Sequence, residues 1–248
     1  NLTNYNYKIR QKIFNIFGSS FRIKLRNIYI RFLFLKKNGF QYLNLSKFQL
    51  VEGFLEDNEA ICLYKLTKNL RAKNPCIVEI GSYLGKSATV FASALKKNSN
   101  ATINCIDPFN GIGEDRSIKR YQSDLRKLKI SQLDKFKQNI CNFGNPKITN
   151  IFQGLSNSVV KDWNKKIDLL FVDGNHAYEA VKQDYEDWSV FISKGGYLVF
   201  HDTWFEAPKD LKKKWQEGPG KVVKESLIGN EKWEKIAYVK SLYCLRKI

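Results

Sequence analysis

The segment 78–87 constrains the fold most, because a buried strand ends there at a glycine and a helix begins directly afterwards. The apolar run 76–80 predicts the strand, and the apolar spacing within 88–95 predicts the helix. Gly81 can adopt a positive φ in the connecting turn, and Gly85 allows a ligand or a neighbouring strand to approach the backbone. The segment therefore predicts a strand-turn-helix unit that holds a ligand.

The spacing of these glycines differs from the dinucleotide-binding fingerprint. That fingerprint would need glycines at positions 83 and 86, which are Tyr83 and Lys86. A carboxylate beside the turn, here Glu79, suits a ligand with a cationic ammonium end, and S-adenosylmethionine has such an end. For this motif taken alone, an ordinary strand-to-helix turn of an α/β sheet is the alternative.

Strands and helices alternate after residue 75. The spacing of apolar residues predicts strands at 76–80, 102–106, 148–152, 167–172 and 196–200, and helices near 84–97, 117–141, 156–163 and 177–192. Nearly continuous apolar strands are typical of parallel sheets covered on both faces. Two further runs, 233–239 and 242–247, predict a hairpin. The predicted fold class is α/β, a doubly wound, mostly parallel, seven-stranded Rossmann-like sheet that ends in an antiparallel hairpin.

The N-terminal part of the chain is strongly basic. The formal net charge is +18, and no acidic residue precedes Glu52. Apolar residues recur at helical spacing within 9–35, but the charges between them exclude a transmembrane helix, which needs about 20 mostly apolar residues. We predict a basic, amphipathic, helical extension over residues 1–50, broken near Gly18, ahead of one domain over residues 51–248. The extension could contact an anionic membrane peripherally, or pack on the domain or on a second subunit of a homo-oligomer.

The helix that opens the domain, and the cysteines, allow two further expectations. Residues 53–60 predict a loop that leads into a helix ending near Leu70, with Asp57 or Asn58 as N-cap. The five cysteines are dispersed and form no C-x-x-C pair, so a zinc site or a disulfide framework is poorly supported. We therefore expect a reducing cytoplasm, with a peripheral position at the membrane if the extension binds lipid.

Polar residues or glycines lie at or just after the end of every predicted strand of the parallel sheet. They are Glu79 and Gly81, Asp107, the group Gln153, Gly154 and Ser156, the pair Asp173 and His176, and the pair His201 and Asp202. Ligands of open α/β sheets bind beyond the carboxyl ends of the strands. Asp107 could accept hydrogen bonds from both hydroxyls of a ribose, and residues 153–156 suit an adenine edge. Each residue alone could belong to an ordinary turn, but together they predict one binding site.

Four segments resemble class I S-adenosylmethionine-dependent methyltransferases. They are residues 78–87, 106–109, 170–179 and 195–202, and the V-D-G-N-H-A-Y-E block within the third is the most specific. The resemblance extends from about residue 50 to the C-terminus. Within the class, these segments are most similar to the branch of macrocin-type sugar O-methyltransferases and cephalosporin-hydroxylase-like proteins. A parallel sheet with a terminal antiparallel hairpin is also the architecture of that class.

The resemblance implies roles for individual residues. Glu79, Gly81, Ser82 and Gly85 would hold the methionine end of S-adenosylmethionine, Asp107 the ribose, and Gln153, Gly154 and Ser156 the adenine. In metal-dependent relatives, acids at the positions of Asp173 and Asp202 hold a divalent metal ion. His201 departs from that pattern because it stands where those relatives have a further acid. This change weakens the case for Mg²⁺, whereas imidazole is acceptable to Mn²⁺, Fe²⁺ or Zn²⁺.

The resemblance also implies a reaction, methyl transfer to a hydroxyl of a sugar, a glycan or a glycosylated metabolite. Such a transfer needs a base or a Lewis-acidic metal, and imidazole suits the role of base because its ordinary pKa lies near neutrality. His176 is the first candidate and His201 the second, while Asp173 and Asp202 would bind metal or orient a histidine. Two alternatives stay open, a nucleic-acid acceptor and a non-catalytic binding protein. The sequence lacks a recognisable nucleic-acid-binding module, which disfavours the first.

Overall fold

One seven-stranded sheet organises the chain, as the sequence predicts. The computed structural model describes residues 19–111, 122–123, 125–204 and 217–248. The strands are β1 (Cys76–Ile80), β2 (Thr102–Asp107), β3 (Thr149–Gln153), β4 (Ile167–Val172), β5 (Ile192–Phe200), β6 (Trp233–Val239) and β7 (Leu242–Lys247), in the order β3-β2-β1-β4-β5-β7-β6. Strands β1 to β5 pair in parallel, and β7 pairs antiparallel with both β5 and β6. The predicted fold class and terminal hairpin are confirmed.

Helices cover both faces of this sheet. They are α1 (Ser19–Asn38), α2 (Asp57–Lys68), α3 (Lys86–Ala94), α4 (Gln132–Phe143), α5 (Ser156–Val159), α6 (Tyr178–Ser189) and α7 (Glu217–Ser226), with short 3-10 segments at Phe40–Tyr42, Leu45–Leu50 and Val160–Asp162. None of the helices within the described ranges is both long enough and apolar enough to cross a bilayer. Residues 1–18, the first part of the predicted basic extension, lie outside the described residues.

Two buried clusters hold these layers together. One face of the sheet packs against α2, α3 and α4, with Phe91, Phe136 and Phe171 at its centre. Residues from α1 and the following 3-10 segments, including Phe34 and Phe48, belong to this same cluster. Side chains of α6 and α7, such as Trp188, pack on the other face. The part of the extension from Phe34 onward therefore shares its core with the sheet.

The sheet changes winding direction between β1 and β4. From β1 the chain moves outward to β2 and then β3, whereas β4 lies on the other side of β1 and continues to β5. At such a switch point the loops after the two central strands diverge and leave a crevice at their carboxyl ends. The topology thus places the loop after β1 beside the loop after β4.

Two helix predictions were wrong in part. The predicted helix 117–141 is interrupted, because residues 127–131 are not helical and Ser131 caps a new helix by accepting a hydrogen bond from Asp134 N at 3.1 Å. Residues 117–121 and 124 of the predicted span lie outside the described residues. The cap of α2 is Glu56 rather than Asp57 or Asn58, since Glu56 and Glu59 form a reciprocal capping box.

Two further elements differ at the C-terminal side of the sheet. Strand β5 begins at Ile192 rather than 196, four residues earlier than the spacing predicts. Helix α7 was not predicted, because its first turn contains Gly218, Pro219 and Gly220. A Cβ at Gly218 would overlap the carbonyl oxygen of His176, so this glycine lets the helix pack closely on the loop after β4.

Gly81 allows the closest backbone approach in this crevice. Its φ is +87°, and a Cβ at this position would overlap the backbone of Asp173. Gly229 has a similar φ of +80° with nothing within 4 Å of a Cβ, so it provides a matched control. Gly229→Ala should cost about 1 kcal/mol of left-handed strain, while Gly81→Ala should cost at least about 3 kcal/mol because backbone atoms must also move. Urea unfolding measures both free energies, and equal losses would contradict the close approach.

Candidate active site

A cavity of about 610 Å³ opens at the carboxyl ends of the central strands. This volume is typical of small-molecule sites. Nine of the predicted site residues line it, namely Gly81, Ser82, Asp107, Gly154, Ser156, Asp173, His176, His201 and Asp202. Three predicted residues, Glu79, Gly85 and Gln153, do not line it. The structure thus brings together in one cavity residues that lie more than 100 positions apart in the sequence.

The turn after β1 forms one wall. Gly81 N donates to Ile106 O at 2.9 Å, and Gly85 N donates to Ser82 O at 2.8 Å. Gly85 has a φ of +85° and caps α3, and a Cβ there would lie 3.0 Å from the Phe136 ring. The two glycines shape the turn in this way, while Ser82 and Tyr83 face the cavity.

Asp107 ends β2 opposite this turn. Its Oδ2 accepts a hydrogen bond from Tyr83 N at 2.8 Å, and its Oδ1 accepts one from Phe109 N at 2.6 Å. Burial raises the pKa of the Asp107 carboxyl, and the amide hydrogen bonds oppose that rise. Each carboxylate oxygen has a second lone pair. Asp107 is therefore held rigidly and retains the capacity to accept hydrogen bonds from a ligand.

Glu79 lies inside the protein instead of at the cavity wall. It is fully buried in β1, and its Oε1 accepts a hydrogen bond from Ser87 Oγ in the first turn of α3. Burial raises its pKa to about 7, although hydrogen bonds from Ser87 and Ser82 act in the opposite direction. In this position the Glu79 carboxyl ties the strand to the helix.

The far end of the cavity contains a buried acid that the sequence analysis missed. Asp184 of α6 lines the cavity, and its Oδ1 accepts a hydrogen bond from Ser156 Oγ. Burial raises the pKa of Asp184 to about 6. Ala180 and Gln183 line the cavity beside it. Together with Asp184 they follow the spacing i, i+3, i+4, which belongs to one helix face. Gln153 lies outside this wall, exposed, with Nε2 3.5 Å from Pro108 O.

Both histidines lie between the loops after β4 and β5. His201 Nδ1 lies 2.9 Å from Asp173 Oδ1 and 3.6 Å from Asp202 Oδ2. His176 Nε2 lies 3.1 Å from Asp202 Oδ2 and 3.8 Å from Asp173 Oδ1. Both rings are buried, and both acids are partly exposed to the cavity. The four side chains form one cluster in which imidazole rings and carboxylates alternate.

Glu59 completes this cluster and was not predicted as a site residue. The carboxylate belongs to the first turn of α2, and its Oε2 lies 3.3 Å from His201 Nε2. Its Oε1 accepts hydrogen bonds from Ser241 N at 3.1 Å and from Ser241 Oγ at 2.6 Å. Its position in the capping box was the only local sign that Glu59 has a special role, because His201 and Ser241 are both more than 140 residues away in sequence.

The charges in the cluster stabilise one another. Burial alone would lower the pKa of His201, but the charges of Asp173 and Asp202 raise it well above its usual value. Burial alone would raise the pKa values of Asp202 and Glu59, but both are held below their usual range by hydrogen bonds and by the charge of His201. The surrounding carboxylates therefore favour the protonated form of the His201 ring.

The cluster also has the donor set of a metal site. In the described part of the chain, Asp173, His201 and Asp202 each offer one ligand atom, and these atoms lie within 4.8 Å of one another. Glu59 at His201 Nε2 matches the common arrangement in which a ligating histidine donates its other N–H to a carboxylate. Two oxygens and one imidazole nitrogen suit Mn²⁺, Fe²⁺ or Zn²⁺ better than Mg²⁺.

Solved structures share this fold. The O-methyltransferase TomG from Streptomyces achromogenes, solved in complex with S-adenosylmethionine, is 16% identical, with a TM-score of 0.54 over 78% of this chain and 81% of TomG. CalS11, a TDP-rhamnose 3′-O-methyltransferase of calicheamicin biosynthesis, is 15% identical, with a TM-score of 0.51 over 77% of this chain and 81% of CalS11. At these identities the comparison shows the fold, which is that of class I methyltransferases.

A family model described as a methyltransferase domain matches residues 78–203, half of the chain. The chain belongs to this methyltransferase domain family, and the predicted family resemblance is confirmed. The uncharacterised protein R132 of Acanthamoeba polyphaga mimivirus is 30% identical over 127 residues, which are 50% of each protein. The chain thus matches only about half the length of this curated relative.

The position of Glu79 predicts a pH-dependent contribution to stability. A carboxyl whose pKa is raised to about 7 in the folded protein stabilises the fold below the unfolded value of 4.5, and this contribution is lost as the pH rises toward 7. Glu79→Gln cannot ionise. Between about pH 5 and about pH 8 the wild type should therefore lose roughly 2 kcal/mol more of its unfolding free energy than Glu79→Gln does. Denaturant unfolding at both pH values checks this.

Glu231→Gln is the matched control, because Glu231 is exposed on the surface. Its stability difference from wild type should be the same at both pH values. A flat profile for Glu79→Gln, together with weaker binding of S-adenosylmethionine, would instead favour the cofactor contact that the sequence resemblance implies.

Proposed function

We propose that the protein is an S-adenosylmethionine-dependent O-methyltransferase that acts on a hydroxyl group of a sugar, a glycan or a glycosylated metabolite. One observation carries this proposal. A single cavity of a methyltransferase-family fold contains a glycine turn and Asp107 at one side, and the buried His176–Asp202 pair at the other. The first group suits the cofactor, and the second suits removal of a proton from an acceptor.

In this proposal, the parts of S-adenosylmethionine lie in order along the cavity wall. Ser82 and the turn at Gly81 would bind the methionine end, and Asp107 would accept hydrogen bonds from the ribose hydroxyls. Gly154, Ser156 and Asp184 would border the adenine, whose exocyclic amine can donate to a carboxylate. When bound, S-adenosylmethionine supplies a sulfonium methyl group for in-line transfer to an acceptor oxygen. The chain's own contribution is to align that oxygen and remove its proton.

His176 suits the role of general base better than His201. Both ring nitrogens of His201 lie within 3.3 Å of carboxylate oxygens, so its protons are held by Glu59 and Asp173. His176 has one ring nitrogen, Nε2, near carboxylates, 3.1 Å from Asp202 Oδ2 and 3.8 Å from Asp173 Oδ1. In this proposal Asp202 orients the His176 ring and stabilises the positive charge that the ring gains. His201 then serves as a fixed positive charge that holds Asp173 and Asp202 in place.

A divalent metal ion is the alternative way to activate the acceptor. Asp173, His201 and Asp202 would hold it, with Glu59 retaining the N–H at His201 Nε2. Such an ion supplies Lewis-acid polarisation of an acceptor hydroxyl. Treatment with a chelator separates the two cases, because only the metal-dependent form loses activity that Mn²⁺ then restores.

The acceptor class rests on structural neighbours rather than on a contact in this chain. CalS11 is a sugar O-methyltransferase by name, and TomG is an O-methyltransferase. Trp204 lies at the cavity and donates from Nε1 to Asp202 Oδ1 at 2.8 Å, so an aromatic surface stands next to the proposed base. Aromatic faces pack well against sugar rings. A nucleic-acid acceptor and a non-catalytic binding role are the alternative outcomes of the tests.

Cofactor binding is the first test. Asp107→Ala should weaken binding of S-adenosylmethionine at least about tenfold in calorimetry, because it removes the acceptor for two ribose hydroxyls. Asp162→Ala, which removes an exposed carboxylate outside the cavity, should bind like wild type. A folded Asp107→Ala protein with wild-type affinity would remove the ribose assignment. Lack of binding by the wild type would leave the non-catalytic role.

Turnover tests the base and the acceptor together. With labelled S-adenosylmethionine, nucleotide sugars and glycosides should accept the methyl group, whereas oligonucleotides should not. His176→Ala should lower kcat roughly 10²-fold or more with nearly unchanged cofactor affinity. Asn157→Ala truncates another polar residue at the cavity that cannot act as a base, so it should keep most of its kcat. Full activity of His176→Ala would contradict the assigned base.

A further inference from the structure

Helix α1 presents an apolar face that is exposed in the described part of the chain. Leu25, Ile28, Tyr29 and Phe32 follow the spacing i, i+3, i+4, i+7, which places them on one side of the helix. Their exposed fractions are 41%, 63%, 62% and 48%. We call these four residues the outer face. Large apolar side chains clustered on one exposed surface indicate a binding partner.

The opposite side of α1 is fixed to the domain. Phe34 is buried, and its ring centre lies 5.4 Å from that of Phe48. Arg31 donates from Nε to Ser46 Oγ at 2.8 Å and from Nη2 to Leu43 O at 3.2 Å, and Lys37 pairs with Asp57 at 2.9 Å. Because these contacts hold the inner side, the outer face is directed away from the core and is not a spare packing surface for it.

The positive charge of α1 indicates which kind of partner fits the outer face. The helix contains six basic residues and no acid, and the exposed Lys24, Arg26 and Lys36 accompany the outer face. A second copy packed on the same face would bring two such charges together, which is unfavourable. A nucleic acid would attract the charge but offers phosphates, rather than an apolar phase, to the four side chains. An anionic bilayer surface satisfies both features, because headgroups pair with the bases while the apolar side chains enter the acyl boundary.

We propose that α1 binds the surface of anionic membranes, lying in the plane of the bilayer with its outer face toward the lipid. The helix does not meet the length and hydropathy needed to cross a bilayer. Its inner side would stay on the domain, so the whole domain would rest at the membrane. This inference does not depend on the methyltransferase activity, since the residues that carry it lie outside the cavity.

Co-sedimentation of the full chain with vesicles tests the proposal. The chain should bind vesicles made of equal parts phosphatidylcholine and phosphatidylglycerol, and should not bind pure phosphatidylcholine. Binding should weaken as salt is raised, because the attraction is screened. Ile28→Ser/Phe32→Ser should reduce binding at least about tenfold by removing apolar insertion, and Lys24→Glu/Arg26→Glu should do so by reversing charge. All four positions are at least partly exposed, and unchanged thermal unfolding would verify the fold.

Matched controls lie elsewhere on the surface. Val190→Ser/Ile228→Ser removes apolar side chains that are 63% and 56% exposed, and Lys165→Glu/Lys166→Glu reverses two exposed charges, all outside α1. Both controls should bind vesicles much like wild type. Equal losses in the controls and in the α1 variants would overturn the proposal, since they would show non-specific adsorption.

Two other outcomes would also overturn it. Lipid-free self-association that Ile28→Ser/Phe32→Ser abolishes would assign the outer face to a second copy. Absence of vesicle binding by the wild type would mean that another partner, or another segment of this chain, covers the face. Loss of vesicle binding with intact cofactor binding would leave the proposed enzyme function untouched, so the two proposals can fail separately.

Discussion

The charge balance around His201 is the constraint on which the site depends. Three carboxylates, Glu59, Asp173 and Asp202, lie around this buried ring, and His176 lies beside one of them. Buried charges are costly unless they are paired. If the ring at position 201 were neutral, the three carboxylates would repel one another with little positive charge nearby to offset the repulsion. Either a protonated His201 or a bound cation must supply the positive charge there.

This balance also explains how distant elements support the site. Glu59 connects the first turn of α2 to His201 after β5 and to Ser241 in the turn between β6 and β7. Thr203 also connects the loop after β5 to this turn, because its N and Oγ1 both donate to Ser241 O, at 3.0 and 2.7 Å. The antiparallel hairpin therefore holds the loop that carries His201 and Asp202. A hairpin that only closed the sheet edge would need none of these bonds.

The sequence predicted what depends on local patterns. Strands β1 and β4 begin and end where apolar spacing places them, because a buried strand must be apolar along its own length. The hairpin strands β6 and β7 also match their predicted bounds. It could not predict Glu59, whose role comes from partners more than 140 residues away. It also missed α7, where Gly218 and Pro219 oppose helix formation locally but the burial of Val222, Val223 and Leu227 against the sheet stabilises it.

The candidate site residues also differ in whether a local sequence pattern is enough to place them at the cavity. Ser82, Asp107 and Asp173 lie within two residues of a strand end, so a correct strand prediction suffices to place them at the cavity. Asp184 lies in the middle of α6, where an acid is ordinarily a solvated surface residue. It faces the cavity only because α6 packs beside the loop that carries Ser156. Its place at the cavity can be recognised only once the packing of the helix against the sheet is known.

The presence of histidine at position 201 decides what the cluster can bind. The metal-dependent methyltransferases that the sequence resembles have an acid there, so the change to histidine removes at least one negative charge from the set. A hard cation such as Mg²⁺ gains most of its binding from carboxylate oxygens, and it would here have to displace the proton that Asp173 stabilises on Nδ1 of the ring. A softer cation that accepts imidazole meets a smaller obstacle. In the proposed metal-dependent form, the ion would thus compete with a proton for Nδ1 of His201.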